Sequence, residues 1–375
     1  MKKFLKHYSL IIILAISFGL IKACKKKKPE EDSPENYNRK ELLTNMANNY
    51  IVPAYTTYFT QVEDLKNKTQ LFVNSPSIST LDELRNQWKN ALLDWQSVAF
   101  FEFGPAESLS LRDQTNLFPL DTNIILNNIV SGNYDLQLPA NFVAKGFQSL
   151  DYLLYRPGFT DQNLIDFYTD NTNAKNYLLA VVEELVQNAN TVKNEWQSYS
   201  TTFINNNSSN AQGTSVNYLL NAFSFHYETH VRKGKIGLPA GVFNGISQLP
   251  MPNHVECFYS KESLPYVIQS MNALLNIFKG TNISTGADGE GFDNYLNFVG
   301  AKYNSENLSS AIINQINTII NDLNQLNDPL SDEVVNNQTA VLNVYQNMQK
   351  LVPLIKVEMT SALGVLITYQ DTDGD

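Results

Sequence analysis

The chain has 375 residues, 43% hydrophobic and 17% charged, an ordinary globular balance with length enough for two domains that each hold a core. Its 37 acidic against 27 basic side chains give a formal net charge of −10, and the lysines concentrate near the start. Disorder is therefore not the default state, and nucleic acid is excluded as an expected partner because it would need a basic face.

Residues 1–23, "MKKFLKHYSLIIILAISFGLIKA", have the parts of an export signal: a lysine-rich start, an apolar stretch from Leu10 to Ile21, and the small residue Ala23 ahead of Cys24. The apolar stretch is shorter than the roughly 20 residues of a membrane span. Ile21-Lys22-Ala23-Cys24 resembles a bacterial lipobox, in which the cysteine is lipidated and becomes the mature first residue; Lys22 departs from that pattern. Residues 24–38, charged and without apolar periodicity, read as a solvated tether. The expectation is an extracytoplasmic protein held by its lipid to a bacterial membrane, the outer membrane, on its periplasmic side or at the cell surface. Lipidation of Cys24 would leave Cys257 as the sole thiol, with no intramolecular disulfide.

From Arg39 onward the dominant period is helical. Helices are expected over Arg39 to Lys68, with a kink at Pro53, then Leu81 to Ala99, Phe142 to Tyr155, Ala174 to Tyr199, Ser215 to Lys233, Ser263 to Phe278 and Phe292 to Tyr303. Leu308, Ile312, Ile316, Ile319, Ile320, Leu323 and Leu326 recur at spacings of three and four, and Val334, Val341, Tyr345, Met348 and Val352 follow suit. Between these two segments "NDPLSDE" places Pro329 as a stop, with Ser331, Asp332 and Glu333 to cap the next helix, which implies a helical hairpin. No stretch alternates apolar and polar residues as a strand requires. The fold class is all-α, with two packed helical-bundle domains over 39–205 and 212–375, divided by the polar "INNNSSNAQGTS" from Ile204 to Ser215. "GFQSLDYLLY" from Gly146 and "GFDNYLNFVG" from Gly291 echo one another and hint at an ancient duplication.

In "GFQSLDYLLY", Gln148 and Asp151 are three apart, so both side chains lie on one face of an otherwise apolar helix. This segment, with "WKNALLDWQSVAFFEFGP" (Trp88 to Pro105), "HVRKGKIGLPAGVF" (His230 to Phe243) and the C-terminal "MTSALGVLITYQDTDGD", resembles the imelysin-like family, also called peptidase family M75. The resemblance spans almost the whole mature chain, in the expected order. It implies a pair of helical bundles in the cell envelope, often with expression linked to iron, in a family described variously as peptidases, haem or iron uptake components and polymer-binding proteins. It also implies a metal-binding signature, Gly-x-His-x-x-Glu, which falls here on Gly146 to Asp151 with Gln148 in place of the histidine and Asp151 in place of the glutamate. A carboxamide is a poor ligand for zinc or iron beside an imidazole, whereas amide and carboxylate oxygens suit hydrogen bonding or hard cations.

Glu102, flanked by aromatics in "FEFGP", has surroundings that would raise a carboxyl pKa. His226 and His230, four apart, can point the same way; with Asp151 they are the remaining metal candidates, for iron or another divalent cation. Glu228 lies between them and projects to another face, so the order is not that of a zinc protease, and Glu228 with Arg232 suits an ion pair. His254 and Cys257 would be half a zinc site, but no second pair follows, and "DTDGD" begins like a calcium loop that stops short of its glutamate. No Ser-His-Asp set and no phosphate-cradling glycine loop is recognisable. The 19 tyrosines and 20 phenylalanines would fill bundle cores, or line a groove for sugar or haem.

Together these residues point to a ligand site between the domains, formed by Gly146, Gln148, Asp151, Glu102 and Arg232. The expected function is a non-catalytic binding or accessory protein linked to iron or haem uptake. Its partners would be the membrane through the lipid, an iron-related or polymeric ligand, and another envelope protein. The alternatives are a metal-dependent peptidase, which would need three protein ligands and an open position for water, and a structural surface lipoprotein.

Overall fold

A computed structural model describes residues 33–370. The export signal, Cys24, most of the tether and the "DTDGD" terminus lie outside the described residues. The fold is all-α.

Helix α1 (Arg39–Asn45) starts at Asn38, whose side chain takes up the Glu41 N–H. It passes through a π-helical turn, Met46–Ile51, into α2 (Val52–Asn74). Pro53 stands in the first turn of α2, so the irregularity expected at the proline takes the form of the π turn preceding it. Helix α3 (Ile78–Val98) opens on a reciprocal cap between Ser77 and Thr80. Short helices α4 (Pro105–Leu109), α5 (Leu111–Thr115) and α6 (Thr122–Ser131) follow, then a 3₁₀ turn, Pro139–Ala144, and α7 (Gly146–Leu154). Helix α8 (Asp161–Asp170) leads into the long α9 (Thr172–Asn205). Helix α2 packs against both α3 and α9, and the buried rings of Tyr55, Tyr58, Trp88, Trp95 and Trp196 belong to this bundle.

The second half begins with α10 (Ser215–Phe225), which continues as a π-helix over His226–Gly237. Helices α11 (Leu264–Lys279), α12 (Phe292–Phe298), α13 (Leu308–Leu323), α14 (Leu330–Asn336) and α15 (Gln338–Pro353) follow, and α15 runs on through a π turn to the short α16 (Thr360–Leu363). The apolar stripe of α13, Leu308, Ile312, Ile316, Ile319 and Leu323, is buried as its spacing requires, and α13 packs on α15.

Two local expectations need correction. The helix expected to reach Tyr303 stops at Phe298; Gly300, at φ +64°, turns the chain, and Lys302–Tyr303 pairs with Glu306–Asn307 in a two-residue antiparallel ladder. Ser331, Asp332 and Glu333 do not cap α14 but lie within it; the side chain of Asp328 takes up the Leu330 N–H instead, and also those of Ser263 and Leu264.

The polar stretch from Ile204 to Ser215 joins α9 to α10. Across it, α3 packs on α11 and α1 on α10, and the buried apolar side chains of both halves form one continuous core. Polar groups at this seam are cut off from bulk water, so any left without a partner are costly.

Candidate functional site

Every residue of α7 is buried. Trp88 Nε1 donates to the Phe147 carbonyl at 3.1 Å and Tyr177 to that of Ala144, while Lys145 reaches Gln114 at 2.8 Å and Glu184 at 3.2 Å. Gly146 has φ +76°, and a Cβ there would stand 2.3 Å from the Thr115 carbonyl oxygen. Only glycine meets both demands at low cost, so α7 starts tight against the end of α5.

Gln148 and Asp151 share one face of α7, as their spacing predicts, and that face meets the segment Glu256-Cys257-Phe258-Tyr259-Ser260 of the second half. The Asp151 carboxylate accepts the Tyr259 N–H through Oδ2 at 2.8 Å and the Ser260 N–H through Oδ1 at 2.9 Å. Gln148 Oε1 accepts the Cys257 N–H at 2.8 Å, and Nε2 donates to Asn116 Oδ1 at 2.8 Å while lying 3.6 Å from Cys257 Sγ. Cys257 sits at φ +58°, a strained conformation for a residue with a side chain, and the Gln148 hydrogen bond helps to fix it. Burial pushes the Asp151 pKa up to about 7 despite the two backbone donors, and raises the Cys257 thiol well above its ordinary value.

Behind this clasp lies a polar network that the sequence reading missed. Asn116 donates to Glu256 Oε1 at 2.7 Å; Lys235, from the π-helix, pairs with Glu256 Oε2 through a short contact and donates to Gln96 Oε1 at 3.0 Å. Gln96 in turn donates to Glu256 at 3.3 Å and accepts from Ser270 at 2.9 Å. Lys235 and Glu256 are both buried and paired, as ions in a protein interior must be. The only sequence signals were Glu256 beside Cys257 in "HVEC" and Lys235 in "RKGKIG".

The π-helix sorts its ionisable residues onto two sides. His226 and Lys235 face the first half, where the Phe100 ring lies 4.2 Å from that of His226. Glu228 and Arg232 face the second: Arg232 donates to Tyr345 and Gln349, and Glu228 holds Lys356 and the Tyr369 hydroxyl, each at 2.9 Å. Glu228 and Arg232 approach one another at 4.0 Å. Arg232 is thus held by Tyr345, Gln349 and Glu228 of the second half, whereas Asp151 is held by the backbone of Tyr259 and Ser260. Glu102 is also apart from the clasp: it accepts the Arg112 backbone N–H at 3.2 and 3.3 Å, and burial pushes its pKa up to about 7.

The His226 and His230 rings are nearly parallel, with centroids 5.5 Å apart, and burial drives both pKa values well below the ordinary range. His254 contacts Asn253 at 3.0 Å, whereas Cys257 turns to Gln148. Among the described residues, no three His, Cys, Asp or Glu side chains cluster as a metal-ligand set. The signature positions do not fit a metal: both Asp151 oxygens and the Gln148 oxygen already accept backbone N–H groups, both side chains are buried, and no third ligand clusters with them among the described residues.

The clasped segment forms one wall of a cleft of about 750 Å³. Tyr155 and Phe159 contribute from the first half, Phe258 and Tyr259 from the clasped segment, Lys261 from just beyond it, and Asp332 from α14. The Tyr259 ring stands edge-on to Tyr152, centroids 5.1 Å apart, so its position is set by α7 through both backbone and ring.

The family model for imelysin, peptidase M75, matches residues 51–355. The chain is 21% identical to iron-regulated protein A of Synechococcus elongatus over 64% of its own length, and it spans 64% of the length of that relative. Two solved structures share the architecture. One, described as an iron-regulated protein A precursor from Parabacteroides distasonis, superposes with a TM-score of 0.71 at 19% identity over 90% of this chain and 97% of that one. The other, an imelysin-like protein from Psychrobacter arcticum 273-4, gives 0.67 at 17% identity over 88% and 97%.

Proposed function

We propose, from the premise that this chain belongs to the imelysin family, that it is a non-catalytic binding protein of the bacterial cell envelope with an iron-related role. Its ligand, an iron-related or polymeric molecule, occupies the cleft walled by Tyr155, Phe159, Phe258 and Tyr259, and the lipid on Cys24 holds it at the membrane. Another envelope protein would receive or deliver that ligand. The relative described as iron-regulated supports an iron-related role.

The observation that carries the non-catalytic reading is the engagement of Gln148 and Asp151. Metal-dependent hydrolysis needs about three protein ligands and an open position for water. Here the signature pair instead fixes the backbone of a wall segment, and the cleft beside it combines aromatic faces with a few polar groups, the usual make-up of a binding site.

The test is to purify the mature protein, measure metal content before and after exposure to iron, and assay peptide cleavage with and without a chelator. The reading expects no stoichiometric metal at Asp151 and no cleavage. Binding of iron chelates and of polysaccharides, followed by tyrosine fluorescence, should weaken at least tenfold in Tyr259→Ala. Chelator-sensitive proteolysis would overturn it.

A further inference from the structure

Arg112, on α5, is buried at the seam between the halves and uses little of its capacity to donate. A guanidinium carries five N–H donors. Nη2 donates to the Ala99 carbonyl at 2.9 Å, Nε has no partner, and among the described residues the guanidinium forms no ion pair. Glu102, the acid with the strongest electrostatic influence on it, has both oxygens on the backbone N–H of Arg112.

His226, on the π-helix, comes near enough that Arg112 is the charge with the largest influence on its ring. Ala99, which holds Arg112, precedes Phe100, whose ring lies 4.2 Å from the imidazole; the Phe225 ring, next to His226 in sequence, is 6.0 Å from the guanidinium. His226 is 3% exposed, and neither ring nitrogen has a partner. The Thr115 hydroxyl, one turn along α5 from Arg112, is buried and unpartnered as well. A neutral imidazole always carries one N–H, so the seam gathers a guanidinium whose Nε is unmatched and at least one further donor that no group among the described residues accepts. Such groups are costly to bury alone, and an unpaired buried charge is the costliest case.

We propose that Arg112 and His226 bind a small inorganic anion, halide to bicarbonate in size, enclosed between the two halves of the protein. The anion accepts from the unpartnered Nε of the guanidinium, adding its charge to the influence that Glu102 already exerts from its place on the backbone, and accepts the imidazole N–H. It ties α5 to the π-helix independently of the Gln148–Asp151 clasp.

Bromide is the probe. Crystals of the protein soaked in bromide should show an anomalous peak in contact with both Arg112 and His226. Thermal unfolding at constant ionic strength should show a higher midpoint in bromide than in gluconate. That difference should fall by at least half in His226→Phe, which keeps a ring against Phe100, and vanish in Arg112→Met. If Arg112→Met does not fold, the bromide peak and the His226→Phe comparison decide the matter. Water alone between the two side chains, or a bromide effect unchanged in His226→Phe, overturns the proposal.

Discussion

Asp151 and Tyr259 are joined by a 2.8 Å hydrogen bond from the Tyr259 backbone N–H to the carboxylate, a link from α7 in the first half to a cleft wall in the second. With the Ser260 N–H on the other oxygen, a side chain at a family signature position becomes a backbone holder. Asp151→Asn keeps the size but turns an N–H donor toward one of the two amides. The expected loss is about 1–3 kcal/mol of stability, the cost of leaving a buried donor unmatched. Urea unfolding measures it, and a variant as stable as the parent would show that the carboxylate does not hold the wall.

Gly146 and Gly158 both have positive φ, at +76° and +77°, but differ in surroundings. A Cβ on Gly146 would meet the Thr115 carbonyl at 2.3 Å, whereas nothing stands within 4 Å of one on Gly158. Gly146→Ala must displace backbone as well as strain it, and should cost about 3 kcal/mol or more; Gly158→Ala should cost only the conformational penalty, about 1 kcal/mol. Equal melting temperatures for the two variants would contradict the close packing of α7 on α5.

The long helices were legible because their periods are long: α9 and α13 keep apolar residues at three and four over several turns, enough to override noise. Helices α4, α5 and α6 were not, since five to ten residues hardly complete a periodic pattern and their stability comes from packing. The pairing of Gln148 with Asp151 on one face could be read from spacing. Their partner could not, because a backbone N–H at Tyr259 leaves no mark on the sequence 108 residues earlier. Lys235 and Glu256 are similarly mute, being ordinary charged residues until the fold buries them together.

Glu102 makes a pH-dependent contribution. Its pKa rises from 4.5 to about 7 in the folded protein, through burial first. The native state then holds a proton that the unfolded chain has released, so this contribution is complete below pH 4.5 and fades as pH rises toward 7. Glu102→Gln cannot ionise. Its stability relative to the parent should therefore improve between pH 4.5 and 8, by about 2–3 kcal/mol. A gap that stays flat across urea titrations at pH 4.5, 6 and 8 would sink this account.

The Lys235–Glu256 pair should behave as a unit. Lys235→Met leaves a buried carboxylate with only amide donors from Asn116 and Gln96, and should cost about 3–5 kcal/mol. Adding Glu256→Leu removes the stranded charge, so the double variant should be more stable than the two single losses predict, by more than about 1 kcal/mol. Strict additivity in a double-mutant cycle would mean that the short contact between them contributes little.

Restoring the family signature is the sharpest test of what the Gly146–Asp151 segment does here. Gln148→His removes the amide oxygen that receives the Cys257 N–H and the donor to Asn116, and one imidazole cannot replace both at the same two distances. Asp151→Glu adds a methylene at a fully buried position where the carboxylate already touches two backbone amides. The single and double variants should therefore lose stability, each by about 1–3 kcal/mol, and gain no metal. Elemental analysis after incubation with zinc and with iron decides the point. A stoichiometric metal in the double variant would mean that the segment retains the geometry of a metal centre and lacks only its ligands, and the clasp would then be a secondary use of that geometry.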